Sequence, residues 1–139
     1  MIVLDTNIVS EAVKPAPNES LKGWMESQIT SDLYLCEIVV MEQSYGAERF
    51  FLRTGSVRYI DKFDQLLVAY RGRVLAFDHR AAIETGRLRA KRESMGRQIS
   101  VEDAMIAAIC LSNGATLATR NTKDFEGLDL RLVNPFEDG

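Results

Sequence analysis

The chain is poor in the residues on which several common mechanisms depend. Among 139 residues there is one histidine, His79, and two cysteines, Cys36 and Cys110. A single imidazole excludes hydrolysis by a histidine pair acting as acid and base, and excludes a histidine-rich zinc site. The cysteines are distant, lack paired ligand spacing and lie in the apolar stretches LYLCEIVV and IAAICLS, so they read as small buried hydrophobes and not as a disulfide framework. His79 follows Asp78 at the start of a helical pattern, which gives it a surface or capping role. No apolar run approaches the roughly 20 residues that span a bilayer, and IVL is too short for a signal-peptide core; the expectation is a cytoplasmic protein with no membrane partner. The G-x-x-x-x-G-K-[ST], G-x-G-x-x-G and G-x-S-x-G loops are missing as well, which removes nucleotide-driven and serine-hydrolase mechanisms.

Three prolines and nine glycines punctuate the chain without forming a linker, and there is no internal repeat. The length suits one well-buried core, so 1–139 is expected to be a single domain. The net charge of −3 is unevenly spread. Between Arg49 and Arg97 there are twelve Lys/Arg against five Asp/Glu, while both flanks are acidic. That asymmetry suits a polyanion on one surface and an acidic site elsewhere, or simply solvated helix faces.

Apolar strands are expected at 2–4, 33–36, 73–77, 116–119 and 130–133. Helical periodicity covers 18–29, with Asn18 as its cap, and continues over 38–53, 57–70, 79–95 and 101–112, the last stopped by Asn113-Gly114. Strands alternating with helices predict an α/β fold with a parallel sheet covered on both faces, whose ligands bind beyond the carboxyl ends of the strands.

Acids gather at that edge. Asp5 ends the first strand, Glu42 lies in the second turn of the helix after strand two, Asp103 opens the helix leading to strand four, and Asn121 with Asp124 follows that strand. Helix capping accounts for Asp5, for Asp103 in SVED and for Asp124 in NTKD one at a time. It does not account for Glu42, whose helical neighbours Ile38, Val39, Tyr45 and Gly46 offer no partner for a charge. Carboxylates sharing a small site repel one another unless a cation intervenes. An all-oxygen set suits a hard divalent ion, Mg2+ or Mn2+, and such an ion suits phosphodiester hydrolysis.

In order along the chain, MIVLDTNIVSE, Glu42 four residues before Gly46 in MEQSYG, EDAMIAA, LATRNTKDF and VNPF resemble the PIN-domain ribonucleases of the VapC/FitB toxin type. The resemblance spans essentially the whole chain. It implies a three-layer α/β/α fold with a five-stranded parallel sheet, and an Mg2+- or Mn2+-dependent endoribonuclease acting as the toxin of a type II toxin–antitoxin pair. It assigns metal binding to Asp5, Glu42 and Asp103. The fourth acidic position falls on Asn121 or Asp124; the TRNxxDF form favours Asp124 and leaves Asn121 to position water or a neighbouring group. Thr6, Asn7 and Thr119 are expected to hydrogen-bond the acids and fix their orientation. Glu37 is an acid where many relatives carry a smaller residue, and Glu102, about 100° around the helix from Asp103, is expected to be peripheral.

The same resemblance implies RNA hydrolysis by water activated at the ion, with 5′-phosphate and 3′-hydroxyl products and tRNA as the expected substrate. It also implies a homodimer, a cognate antitoxin that inserts a basic side chain into the acidic site, and promoter DNA bound chiefly through the antitoxin complex. Arg87, Arg89, Lys91, Arg92 and Arg97 are the candidates for RNA phosphate contacts, divided among helix faces. Trp24, Met25, Phe50 and Phe51 are open to either an interface or the core. A haloacid-dehalogenase-like phosphatase would need a second Asp where Asn7 stands, and a response-regulator domain needs an acceptor Asp after a later strand with a matching Lys. The competing class is a catalytically weak regulatory module whose acidic pocket captures a basic partner.

Overall fold

The computed structural model describes residues 1–137, so the last two positions of the expected 1–139 unit lie outside the described residues. Five strands, β1 (Ile2–Leu4), β2 (Leu33–Cys36), β3 (Val74–Leu75), β4 (Thr116–Ala118) and β5 (Leu132–Val133), pair in parallel in the order β3-β2-β1-β4-β5. Six helices connect them: α1 (Thr6–Ala12), α2 (Glu19–Ser27), α3 (Glu37–Thr54), α4 (Arg58–Ala69), α5 (His79–Ser94) and α6 (Val101–Asn113). Helices cover both faces of the sheet, which is why the inner strands are apolar along their length: Val3, Leu4, Leu35, Leu117 and Ala118 are all buried. Among the described residues no helix is long and apolar enough to cross a membrane.

The strand order fixes where a ligand belongs. From β1 the chain steps outward through β2 to β3, then α5 and α6 carry it back across to β4 on the other side of β1. The direction of winding therefore reverses between β1 and β4, and the loops leaving these two strands diverge to open a crevice at their carboxyl ends. Register closes that point tightly. Asp5 N–H donates to the Ala118 carbonyl at 2.9 Å, and Thr119 N–H donates to the Val133 carbonyl at 3.0 Å, so both ladders run one residue past the strands and bring Asp5 beside Thr119.

The inner strands and the five long helices match the sequence expectation to within two residues at each end. The edge strands are shorter than expected, 74–75 instead of 73–77 and 132–133 instead of 130–133: in register, residues 76–77 run past the end of β2 and Leu130 falls before the start of β4, while Arg73 and Arg131 keep a single carbonyl bond each, from Leu35 N–H and Leu117 N–H at 2.9 Å. Helix α1 is implied by the capping reading of Asp5, but periodicity gives it no bounds. Its β-branched Thr6, Ile8 and Val9 are weak helix formers, but Ile8 and Val9 are buried and Asp5 caps it. NTKD does not form a capping box: Thr122–Phe125 is one 3-10 turn and the Asn121 side chain caps nothing. Trp24 and Met25 pack partly buried against the core, and both cysteines are free and buried; burial pushes the Cys36 thiol up to about 11, so it is inert.

Candidate active site

Asp5 is both a helix cap and a strand-end acid. Its Oδ1 accepts from Thr6 N–H at 2.8 Å, and its Oδ2 accepts from the Thr119 hydroxyl at 2.7 Å. The residue is only 5% exposed. Burial raises its pKa above the ordinary aspartate value; the bonds from Thr119 and Thr6 pull the other way, and the charge of Asp124 adds to the rise.

Glu42 and Asp103 face Asp5 from the second turn of α3 and the first turn of α6. Glu42 is half-buried, and its Oε1 accepts from the Thr6 hydroxyl at 2.7 Å. Thr6 thus joins the two acids, with its N–H on Asp5 and its Oγ1 on Glu42. Burial raises the Glu42 pKa, and the charges of Asp5 and Glu102 raise it further. Asp103 is set by Ser100, the α6 cap, whose Oγ accepts the Asp103 N–H at 3.1 Å. Burial is again the largest cause of the upward shift at Asp103, followed by Asp5, with Asp124 and Glu42 adding to it. Met41, Glu42, Tyr45, Ser100, Glu102 and Asp103 line a cleft of about 440 Å3 at this edge.

Asp124 is exposed on its 3-10 turn, near enough for its charge to act on both Asp5 and Asp103. Asn121 joins the site through its backbone, donating its N–H to Thr119 Oγ1 at 3.1 Å. Asn7 does not touch an acid; its Oδ1 accepts from Arg120 N–H at 3.3 Å and steadies the loop after β4. Glu37 is exposed in the first turn of α3.

The five basic candidates separate. Arg87 and Lys91 are exposed and line a groove of about 580 Å3 with Arg80, Glu84 and Asp129. At about 100° per residue, Arg80, Arg87 and Lys91 form one stripe along α5, and Arg89 turns to the far side, half-buried, its Nε without a partner among the described residues. Arg97 stands exposed, 3.9 Å from Glu126. Arg92 is a correction: at 3% exposed it has no surface to offer an RNA phosphate, and its guanidinium is spent on backbone carbonyls inside the fold.

Two contributors escaped the sequence reading. Gln43, beside Glu42, donates to Ser10 Oγ at 3.0 Å and ties α3 to α1. Arg120, between Thr119 and Asn121, places its guanidinium 4.2 Å over the Phe136 ring, which gives the VNPF motif a role in fixing the loop after β4. The signal for Arg120 was its place inside LATRN; its partner is sixteen positions further on.

This donor set fits a hard divalent ion. Among the described residues the ion pairs are Lys14 with Glu11 and Arg97 with Glu126, so no lysine or arginine neutralises Asp5, Glu42 or Asp103. Also among the described residues, no three His, Cys, Asp or Glu side chains form a ready cage. Mg2+ needs none, since it takes one or two carboxylates and completes its shell with water and substrate phosphate.

A family model described as PIN domain matches residues 2–129, and the chain belongs to the PIN domain family. Within it, the chain is similar to the toxin FitB of Neisseria gonorrhoeae, 35% identical with 99% of this chain and 100% of that protein covered. It is likewise 35% identical to the VapC ribonuclease Y4jK of Sinorhizobium fredii, over 99% of each chain. The tRNA(fMet)-specific endonuclease VapC of Shigella flexneri is 32% identical over 89% of each chain. Among solved structures, a chain of FitAB bound to a DNA fragment superposes with a TM-score of 0.90 at 34% identity, covering 100% of this chain and 98% of that one.

Proposed function

We propose that this protein, one PIN unit over 1–139, is a divalent-ion-dependent endoribonuclease that cuts tRNA and serves as the toxin of a type II toxin–antitoxin pair. The observation that carries the reading is the set of un-neutralised carboxylates at the point where the sheet's winding reverses, of which Asp5, Glu42 and Asp103 are pushed up in pKa, by burial first and then by neighbouring carboxylates. Relatives that are a toxin, a ribonuclease and a tRNA(fMet)-specific endonuclease support the same class.

Asp5, Glu42, Asp103 and Asp124 would hold Mg2+ or Mn2+. When bound, the ion neutralises their repulsion, draws in a phosphate oxygen and makes water a nucleophile near neutral pH. The chain's own part is preorganisation. Thr119 and Thr6 turn one oxygen of each of their acids away from free rotation, and Ser100 fixes the start of α6. Arg80, Arg87 and Lys91 draw the RNA backbone along α5, toward the end of that helix that leads into the site.

A groove of about 540 Å3 begins at Thr6 and Glu42 and runs between α1, α3 and α4 past Phe50, Phe63 and Leu66, with Lys14, Arg49, Arg53 and Lys62 around it. It suits an antitoxin segment with apolar anchors, acidic flanks and one basic side chain directed to Glu42. A FitAB complex on DNA among the neighbours supports a partner of this kind and promoter binding through it. The protein would act in the cytoplasm as a homodimer.

Sequencing of fragment ends from a total small-RNA pool treated with antitoxin-free protein tests the reading. The expected result is cuts concentrated in one tRNA, with 5′-phosphate and 3′-hydroxyl ends. Products ending in a 2′,3′-cyclic phosphate would contradict it, because that chemistry uses the RNA's own hydroxyl and needs no ion-activated water.

A further inference from the structure

Arg92 lies near the C-terminal end of α5, 3% exposed, and among the described residues it pairs with no carboxylate. A buried charge without a counter-ion is tolerated only where its hydrogen bonds are met. Three backbone carbonyls meet them: Nε donates to Arg97 O at 3.0 Å, one terminal nitrogen to Glu126 O at 3.1 Å, and the other to Asp124 O at 3.3 Å. In return, Arg97 N–H donates to the Arg92 carbonyl at 2.9 Å.

The three carbonyls belong to two segments that matter to the site. Asp124 and Glu126 bracket the buried Phe125 in and just after the 3-10 turn, whose ends are closed by Asp124 N–H to Asn121 O at 3.0 Å and Glu126 N–H to Lys123 O at 3.5 Å. Arg97 lies in the link to α6, three residues before the Ser100 cap of Asp103. A short turn carrying a carboxylate toward Asp5 and Asp103 is pushed outward by their repulsion. A planar guanidinium with donors fixed in a fork resists that displacement in a way a flexible ammonium does not.

We propose that Arg92 is a positioning residue: clamped on the carbonyls of Asp124, Glu126 and Arg97, it holds the turn of Asp124 in register with the helix of Asp103 so that both carboxylates serve one divalent ion. The inference rests on the functional reading above, with Asp124 as the fourth acid.

Mn2+ affinity measured by calorimetry on Arg92→Gln, Arg92→Lys, Asp124→Asn and the Arg92→Gln/Asp124→Asn double variant, with folding checked by urea titration, tests it. Arg92→Gln is expected to weaken Mn2+ binding by about 10–100-fold, the usual cost of losing a group that orients a ligand. Arg92→Lys, which keeps the charge and part of the carbonyl bonding, recovers some of this and stands in for Arg92→Gln in the cycle if that variant does not fold. With Asp124 already removed, losing Arg92 costs little further affinity, because the two act as one unit. RNA affinity measured without the ion, and its salt dependence, stay as in the wild type, which separates positioning from a phosphate contact. Equal losses with and without Asp124 would overturn the proposal in favour of general destabilisation. Wild-type Mn2+ affinity in Arg92→Gln alongside a weakened Asp124→Asn would overturn it too, leaving the site reading intact. Wild-type affinity in Asp124→Asn would remove the fourth ligand itself, and this inference with it.

Discussion

The Thr119 hydroxyl, fully buried, donates to Asp5 Oδ2 and accepts the N–H of Asn121. Replacing Thr119 with Val keeps the shape and strands both partners, so stability should fall by about 1–3 kcal/mol in urea titration. Thr119→Ser should restore most of the loss; equal losses in both variants would mean that packing, not the hydroxyl, is what matters. Asp103 gives the opposite sign. Its pKa is raised above 3.8, so between 3.8 and the raised value the folded state holds more protons than the unfolded chain, and stability falls as pH rises through that window. Ion-free Asp103→Asn should therefore melt higher than wild type at pH 7, with the gap closing below 3.8. A mutant less stable at pH 7 would show that Asp103 is a structural cap and little more. At this scale Asp5 and Asp103 were legible from their places at a strand end and a helix start, and Glu42 from the apolar face it shares with no partner for a charge. Arg92 was not, since periodicity assigns a face to a residue but cannot say that a turn 32 positions away folds onto it.

At the scale of elements, two short strands and the early turns of two helices carry the site; the Ser100 cap sets Asp103 and the Thr6 hydroxyl sets Glu42. Ser100→Ala removes the α6 cap and should cost about 1 kcal/mol, with Mn2+ affinity falling alongside as the first turn frays. Loss of stability with unchanged Mn2+ affinity would uncouple the cap from the site. The long elements could be read from sequence because a buried parallel strand is an apolar run and a helix shows its period over several turns. Seven-residue α1 shows barely two turns and is rich in β-branched residues, so tertiary burial of Ile8 and Val9 decides it and local preference does not. The edge strands were overestimated for a related reason. Ala76 and Phe77 look like strand, but in register they run past Cys36, where β2 gives way to α3.

For the whole molecule, the uneven charge resolves into an acidic crevice and a basic stripe on α5. Charge reversal at Arg87 and Lys91 together should weaken RNA binding and flatten its salt dependence by about two phosphate contacts. Unchanged affinity would place the RNA elsewhere. The strand order, and with it the reversal between β1 and β4, was not legible, because alternation of elements predicts a parallel sheet without ordering it and the family resemblance implied only five parallel strands. The most direct test of the central claim is cleavage of a total small-RNA pool by antitoxin-free protein with Mg2+ or Mn2+, set against EDTA and against Asp103→Asn. Discrete fragments that need both the ion and Asp103, with at least about a 100-fold lower rate in the mutant, are the predicted result. Fragments that persist in EDTA or in Asp103→Asn would contradict it, and an inactive wild type that binds no Mn2+ would return these acids to capping and the crevice to capture of a basic partner.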